Sequence, residues 1–133
     1  LPLNTVYRKW SDRFKKIEEP LFSCYVFVRF ALRDRLIALQ TDGVVRLISE
    51  NSIPVPIPDE QIEAIRQLLS TEKTITTADI FTPGKKVKVV RGVLKGLTGT
   101  LQSTKNENRL VITIDSINQA VSVDIDPNDL ELL

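Results

Sequence analysis

The period with which apolar residues recur changes repeatedly along this chain, and each change marks an element. Val6 and Tyr7, the charged stretch Arg8 to Arg13, then Phe14 and Ile17 predict two short strands joined by a polar tip over residues 1–20. Leu21 to Phe30 is almost continuously aromatic or aliphatic and follows Pro20. Such a run reads as a strand buried on both faces and central in a sheet. Leu32, Leu36 and Leu39 then recur with helical spacing while Arg33, Asp34 and Arg35 point away. Gly43 stands just past that helix, where a left-handed residue is expected. Val44 to Ile48 reads as a further strand.

Pro54, Pro56 and Pro58 make a stiff extended link. Asp59 and Glu60 place negative charge in the first turn of a helix whose apolar stripe is Ile62, Ile65, Leu68 and Leu69. Residues 70–79 have no apolar period and are threonine-rich, which predicts a linker. Beyond Pro83 the alternation is strand-like throughout: Val87 and Val89, then Leu110, Ile112 and Ile114, then Val121, Val123 and Ile125. Short strands between Gly, Asn and Asp turns predict a small barrel. The expected organisation is α+β: an α/β domain over 1–70, a linker over 71–82 and an all-β barrel over 83–133.

Composition narrows the function classes. The 133 residues carry a net charge of +1, so a nucleic-acid signal has to come from local patches. A single cysteine, Cys24, fits a reducing compartment, and no apolar run approaches the roughly 20 residues of a membrane span. The absence of histidine removes Ser-His-Asp and Cys-His nucleophiles and the commonest transition-metal ligand. With one cysteine, a structural zinc site is close to excluded as well. The acids Asp124, Asp126 and Asp129 are dense enough to suggest a cation site, but Asp124 and Asp126 alternate with core residues and read as a solvated strand face. No enzyme and no cofactor is expected, and a binding protein is.

The sharpest local pattern runs from Val87 to Leu101: a strand, a loop holding Gly92 and Gly96, and a second strand opening at Gly99. Gly92 and Gly96 suit positive φ, and Gly99 suits a bulge or close backbone approach. This corner resembles the KOW motif of NusG, its specialised paralogues and some ribosomal proteins. Pro20 to Val28 resembles the aromatic strand of NusG N-terminal (NGN) domains. Gly43-Val44-Val45 followed by Pro54 to Glu60 is similar to a later segment of the same domains. The order of these motifs, spread over essentially the whole chain, is that of NusG-like factors, closest in tone to the antiterminators of capsular polysaccharide operons.

The resemblance implies a ferredoxin-like NGN domain followed by an SH3-like KOW barrel. It also shows departures. Ser23-Cys24 stands where the family has Pro-Gly, and nothing matches the family's first strand and helix. The chain has no methionine and is expected to begin inside a longer gene product. The segments around 24–30 and 44–48 are then expected to flank a gap one strand wide, in preference to pairing with each other or with a second chain.

The resemblance further implies a bacterial, cytoplasmic transcription elongation or antitermination factor without membrane contact. Its N-terminal domain would dock on the clamp helices of RNA polymerase through Phe22, Tyr25 and Phe27, the plainer alternative being that these are core aromatics. The tip residues Arg8, Lys9, Arg13, Lys15 and Lys16, with Trp10 to stack on a base, would contact upstream or non-template DNA. A solvated hairpin is the plainer alternative there. Leu94, Lys95, Leu97 and Ile117 on the barrel loops would bind a NusE-type ribosomal protein or Rho, the equal alternative being that the three apolar residues are buried beneath the loops. If a partner binds there, Leu94 and Ile117 should be exposed and close together. The competing function is a ribosome-associated or RNA-binding KOW protein.

Overall fold

The computed structural model describes residues 1–11, 13–78 and 83–133; at Trp10 it describes the backbone alone. The N-terminal half opens with the expected hairpin, β1 (Leu3–Trp10) and β2 (Arg13–Pro20), antiparallel with Leu3 opposite Pro20 and Trp10 opposite Arg13. Burial follows the strand period of two: Asn4, Val6, Ile17 and Glu19 are half-buried, while Leu3, Thr5, Tyr7 and Glu18 are exposed. The root is tied to the rest of the chain by the Asn4 amide, which donates to the Ile75 carbonyl at 3.1 Å.

The stretch between Leu21 and Ile48 differs from expectation. Leu21 and Phe22 are buried, but Val26 and Val28 are 65% and 59% exposed, and residues 25–30 form no strand. The same holds for residues 44–48, where Val45 stands almost fully in solvent. Among the described residues, the two segments make no backbone hydrogen bond to each other. The doubly buried central strand is thus corrected to an extended, unladdered segment with one face on the core. An apolar run creates a central strand only where strands pair on both sides of it. The helical period of the next segment is real: a 3₁₀ turn (Leu32–Asp34) runs into α1 (Arg35–Leu39). Its apolar face does not pack, however, and Leu32, Leu36 and Ile37 are exposed. Gly43 has the expected left-handed backbone, φ +90°. A minimal ladder, β3 (Ser49–Glu50) with β4 (Ile53–Pro54), leads through the prolines into α2 (Asp59–Leu69). The N-terminal half therefore holds two separate two-stranded ladders.

Helix α2 buries Ala64, Ile65 and Leu68, close to the expected stripe. The expected linker is corrected. Ile75–Ala78 is strand β5, paired antiparallel with Val121–Val123 and Ala120. Ile75 is apolar and buried, and Thr76 and Thr77 are β-branched, so the segment fits a strand despite lacking an apolar period. The remaining strands are β6 (Lys85–Val89), β7 (Thr98–Ser103), β8 (Asn108–Ile114), β9 (Gln119–Asp124) and β10 (Leu130–Leu132). They join β5 in one antiparallel sheet, ordered β10-β6-β7-β8-β9-β5. One apolar cluster runs through this sheet and continues into α2 and Leu21–Phe22. The two halves of the chain are consequently packed together, with only residues 70–74 between α2 and β5.

Candidate functional site

The aromatic segment starts at a turn. Tyr25 N–H donates to the Phe22 carbonyl, and Cys24 between them has φ +71°. A cysteine thus holds a left-handed position that glycine would occupy without strain. The turn folds Phe22 inward, where it meets Phe27 edge-to-face with ring centroids 6.1 Å apart. Phe22 is 2% exposed and sits in the core, which corrects its expected place on a docking surface. Tyr25 and Phe27 are half-buried against that core. The apolar side chains that face solvent are their neighbours Val26, Val28 and Phe30, followed by Leu32, Leu36, Ile37, Leu39, Val44 and Val45. The uniform apolar run could not reveal which residues point outward, because that depends on which face packs.

The basic hairpin is resolved by its register into two faces. Cross-strand partners share a face, so Arg8, Lys15 and Arg13 lie on the side of Val6 and Ile17. There the Arg8 guanidinium donates to both oxygens of Glu19 at 3.2 Å. Trp10 is opposite Arg13 in the ladder, and its expected stacking role lies outside the described residues, as does Asp12. Lys9 and Lys16 belong to the other face, opposite Phe14 and Tyr7 respectively. The expected basic cluster is therefore divided between opposite sides of the ribbon.

In the C-terminal corner both loop glycines have positive φ, +88° at Gly92 and +97° at Gly96, as expected. Gly96 N–H donates to the Val89 carbonyl and Val89 N–H to the Leu97 carbonyl, each at 2.8 Å. These bonds fold the loop back on its own strand and carry Leu94 and Leu97 inward. Ile117 ends a 3₁₀ turn (Asp115–Ile117) closed by left-handed Asn118 and is likewise turned into the core. Leu94, Leu97 and Ile117 are 1%, 6% and 6% exposed, so the expected exposed patch is overturned. Helix α2 lies over these loops: the Gln67 amide donates to the carbonyls of Val93 and Lys95, which bracket Leu94, and the Gln61 amide to the Asp115 carboxylate. Exposed on the loop are Lys95 and, missed by sequence reasoning, Val93 at 64%.

The three acids each have a structural partner. Asp124 pairs with Arg109 at 2.9 Å, the Asp126 carboxylate accepts from Asn128 N–H, and Asp129 lies near the Arg91 guanidinium. Arg109 also donates to Ser122 and Thr76 and so ties β8 to β9 and β5. Among the described residues, no cluster of acids or cysteine could hold a metal ion, and no helix is long and apolar enough to cross a membrane.

Comparison with known proteins places this geometry. Residues 1–66 match the family described as transcription termination factor nusG. The transcription termination/antitermination protein NusG of Lactococcus lactis subsp. lactis (strain IL1403) is 27% identical over 138 aligned positions, covering 98% of this chain and 72% of that protein. The chain is NusG-like. The match to the Lactococcus NusG runs through both the hairpin half and the sheet half.

Proposed function

We propose that this NusG-like chain is a bacterial, cytoplasmic elongation or antitermination factor that docks on RNA polymerase through its N-terminal half. The docking target is the clamp helices, and the reading takes the N-terminal half as an NGN domain and the sheet half as a KOW module. The observation that supports it is the exposed apolar stretch from Val26 to Val45. Isolated exposed apolar residues are ordinary on a protein surface, but nine large ones on about 20 residues of chain are the mark of a contact surface. Tyr25 and Phe27 buttress that stretch from below. The factor acts by contact, without making or breaking a bond.

The test is a pull-down of the full chain on core polymerase. Val26→Glu with Val28→Glu is expected to weaken retention at least tenfold, because both side chains are exposed and the change leaves the core intact. Retention equal to wild type would overturn the docking surface. Phe22 is unsuitable for this purpose, since changing it would disturb the core. Partner binding by the C-terminal loops, whether to a NusE-type ribosomal protein or to Rho, starts in this state from Val93 and Lys95. Leu94, Leu97 and Ile117 can contribute only if α2 moves away.

A further inference from the structure

The exposed apolar stretch carries charge of one predominant kind. Arg29, Arg33, Arg35 and Arg46 stand within it, all exposed, against two acids, Asp34 and Asp42. Every cation between Leu21 and Ile48 is an arginine, although lysine is common in the hairpin and in the sheet half. Among the described residues, none of these four guanidiniums makes an ion pair, with Asp34 and Asp42 included. The three arginines beyond Ile48 differ: Arg66, Arg91 and Arg109 each have an acid beside them, Glu63, Asp129 and Asp124. The four free ones are interleaved with apolar side chains. Arg33 precedes Leu36 and Ile37 by one helical turn, and Arg35 follows Leu32 and precedes Leu39 by the same interval. Arg29 sits between Val28 and Phe30, and Arg46 follows Val45. Neither the 3₁₀ turn nor α1 buries a residue, so apolar and cationic groups are presented to solvent together.

We infer that this surface takes an acidic protein partner, one whose apolar side chains are bordered by Asp and Glu carboxylates that pair with Arg29, Arg33, Arg35 and Arg46. The aliphatic groups select protein over nucleic acid. Valine, leucine and isoleucine have no ring to stack on a base, and of the nine exposed apolar side chains only Phe30 has one. They lose water instead against other apolar side chains. The arginines select the charge. A guanidinium is weakly hydrated, and its planar fork matches a carboxylate, so it enters an interface at lower cost than an ammonium group. A neutral or basic partner would bury these charges unpaired, which is strongly unfavourable. The inference rests on the polymerase docking proposed above and names the chemistry of the polymerase surface that is met there.

The experiment measures association and dissociation of the full chain on immobilised core RNA polymerase freed of nucleic acid. The wild-type association rate should fall roughly tenfold between about 0.05 M and about 0.5 M NaCl, because salt screens attraction between opposite charges. Arg33→Gln with Arg35→Gln should associate roughly fivefold more slowly at the lower salt and lose most of the salt dependence. Arg33→Lys with Arg35→Lys should keep the salt dependence, which separates charge from a folding defect. Its dissociation should be faster than wild type, since lysine lacks the fork. Salt-independent association of wild type, or an unchanged rate in the glutamine pair, would overturn the acidic partner and leave docking itself standing. A glutamine-pair defect seen only on polymerase carrying DNA would assign the arginines to nucleic acid and overturn it too. Absent binding of wild type, or wild-type binding by Val26→Glu with Val28→Glu, would sink the docking surface and this inference with it.

Discussion

Gly99→Ala is expected to destabilise the protein by about 3 kcal/mol, the upper end of what overpacking usually costs. A Cβ at this position would lie 2.4 Å from the Val111 carbonyl oxygen and 3.0 Å from a Leu110 methyl. The oxygen belongs to the backbone of β8, whose Val111 pairs with Thr100 in β7, so it cannot retreat without opening that ladder. Gly96 provides the internal comparison. A Cβ there would meet nothing within 4 Å, and only the positive φ of +97° opposes a side chain. Gly96→Ala should therefore cost about 1 to 2 kcal/mol, the ordinary left-handed penalty. Urea denaturation at constant m-value measures both. Equal midpoints for the two variants would show that the β7–β8 approach at Gly99 is looser than described.

These glycines also show what was legible in the sequence. A glycine has few reasons to be where it is, and its neighbours narrow them, so Gly92 and Gly96 read as loop positions and Gly99 as a bulge or a close approach. The hairpin, α2 and β6 to β9 were legible for a similar reason: their period is set by a face that packs within the chain. Residues 21–30 and 44–48 misled because β-branched and aromatic residues specify an extended backbone but not the presence of a neighbour to pair with. Strand β5 was hidden by the opposite effect. Its threonines look like loop residues until Ser122 on the neighbouring β9 and Arg109 on β8 beyond it supply partners for Thr76.

The candidate sites were less legible than the fold, and the physical cause is orientation. The hairpin's charge was visible, but which cations share a face depends on the register, and the register depends on the length of the connection between Trp10 and Arg13. A different turn length by one residue would exchange every pairing. In the loop between β6 and β7, Val93 and Leu94 are equivalent as residue types. The folding back of Gly96 and Leu97 onto Val89 decides that Leu94 goes in and Val93 goes out. Residue type alone carries neither fact.

The packing of α2 on the loops yields the second large effect. Leu68 is 1% exposed and Leu94 is 1% exposed, in one apolar cluster, with Gln67 bonded on both sides of Leu94. Leu68→Ala and Leu94→Ala are each expected to cost about 3 kcal/mol, within the range for emptying a buried leucine site. Their combination should fall short of the sum by about 0.5 kcal/mol or more, because each change empties part of the same core. Independent modules on a linker would instead give strict additivity, with Leu68→Ala leaving the sheet half untouched. Hydrogen exchange separates the cases residue by residue. In a shared core, Leu68→Ala should speed exchange at the Lys95 and Leu97 amides, which are bonded within the loop to Gly92 and Leu94. The helix contact is not a perfect one: the Gln61 Oε1 is buried among the described residues with no hydrogen-bond partner. An unsatisfied buried acceptor costs about 1–3 kcal/mol, enough to leave α2 less firmly held than β8. The loop amides should accordingly exchange faster than those of Leu110–Ile114 even in wild type, through opening of the helix and loop together. Exchange of α2, loop and β8 amides at one common rate would mean that the helix leaves the loop only when the whole protein unfolds.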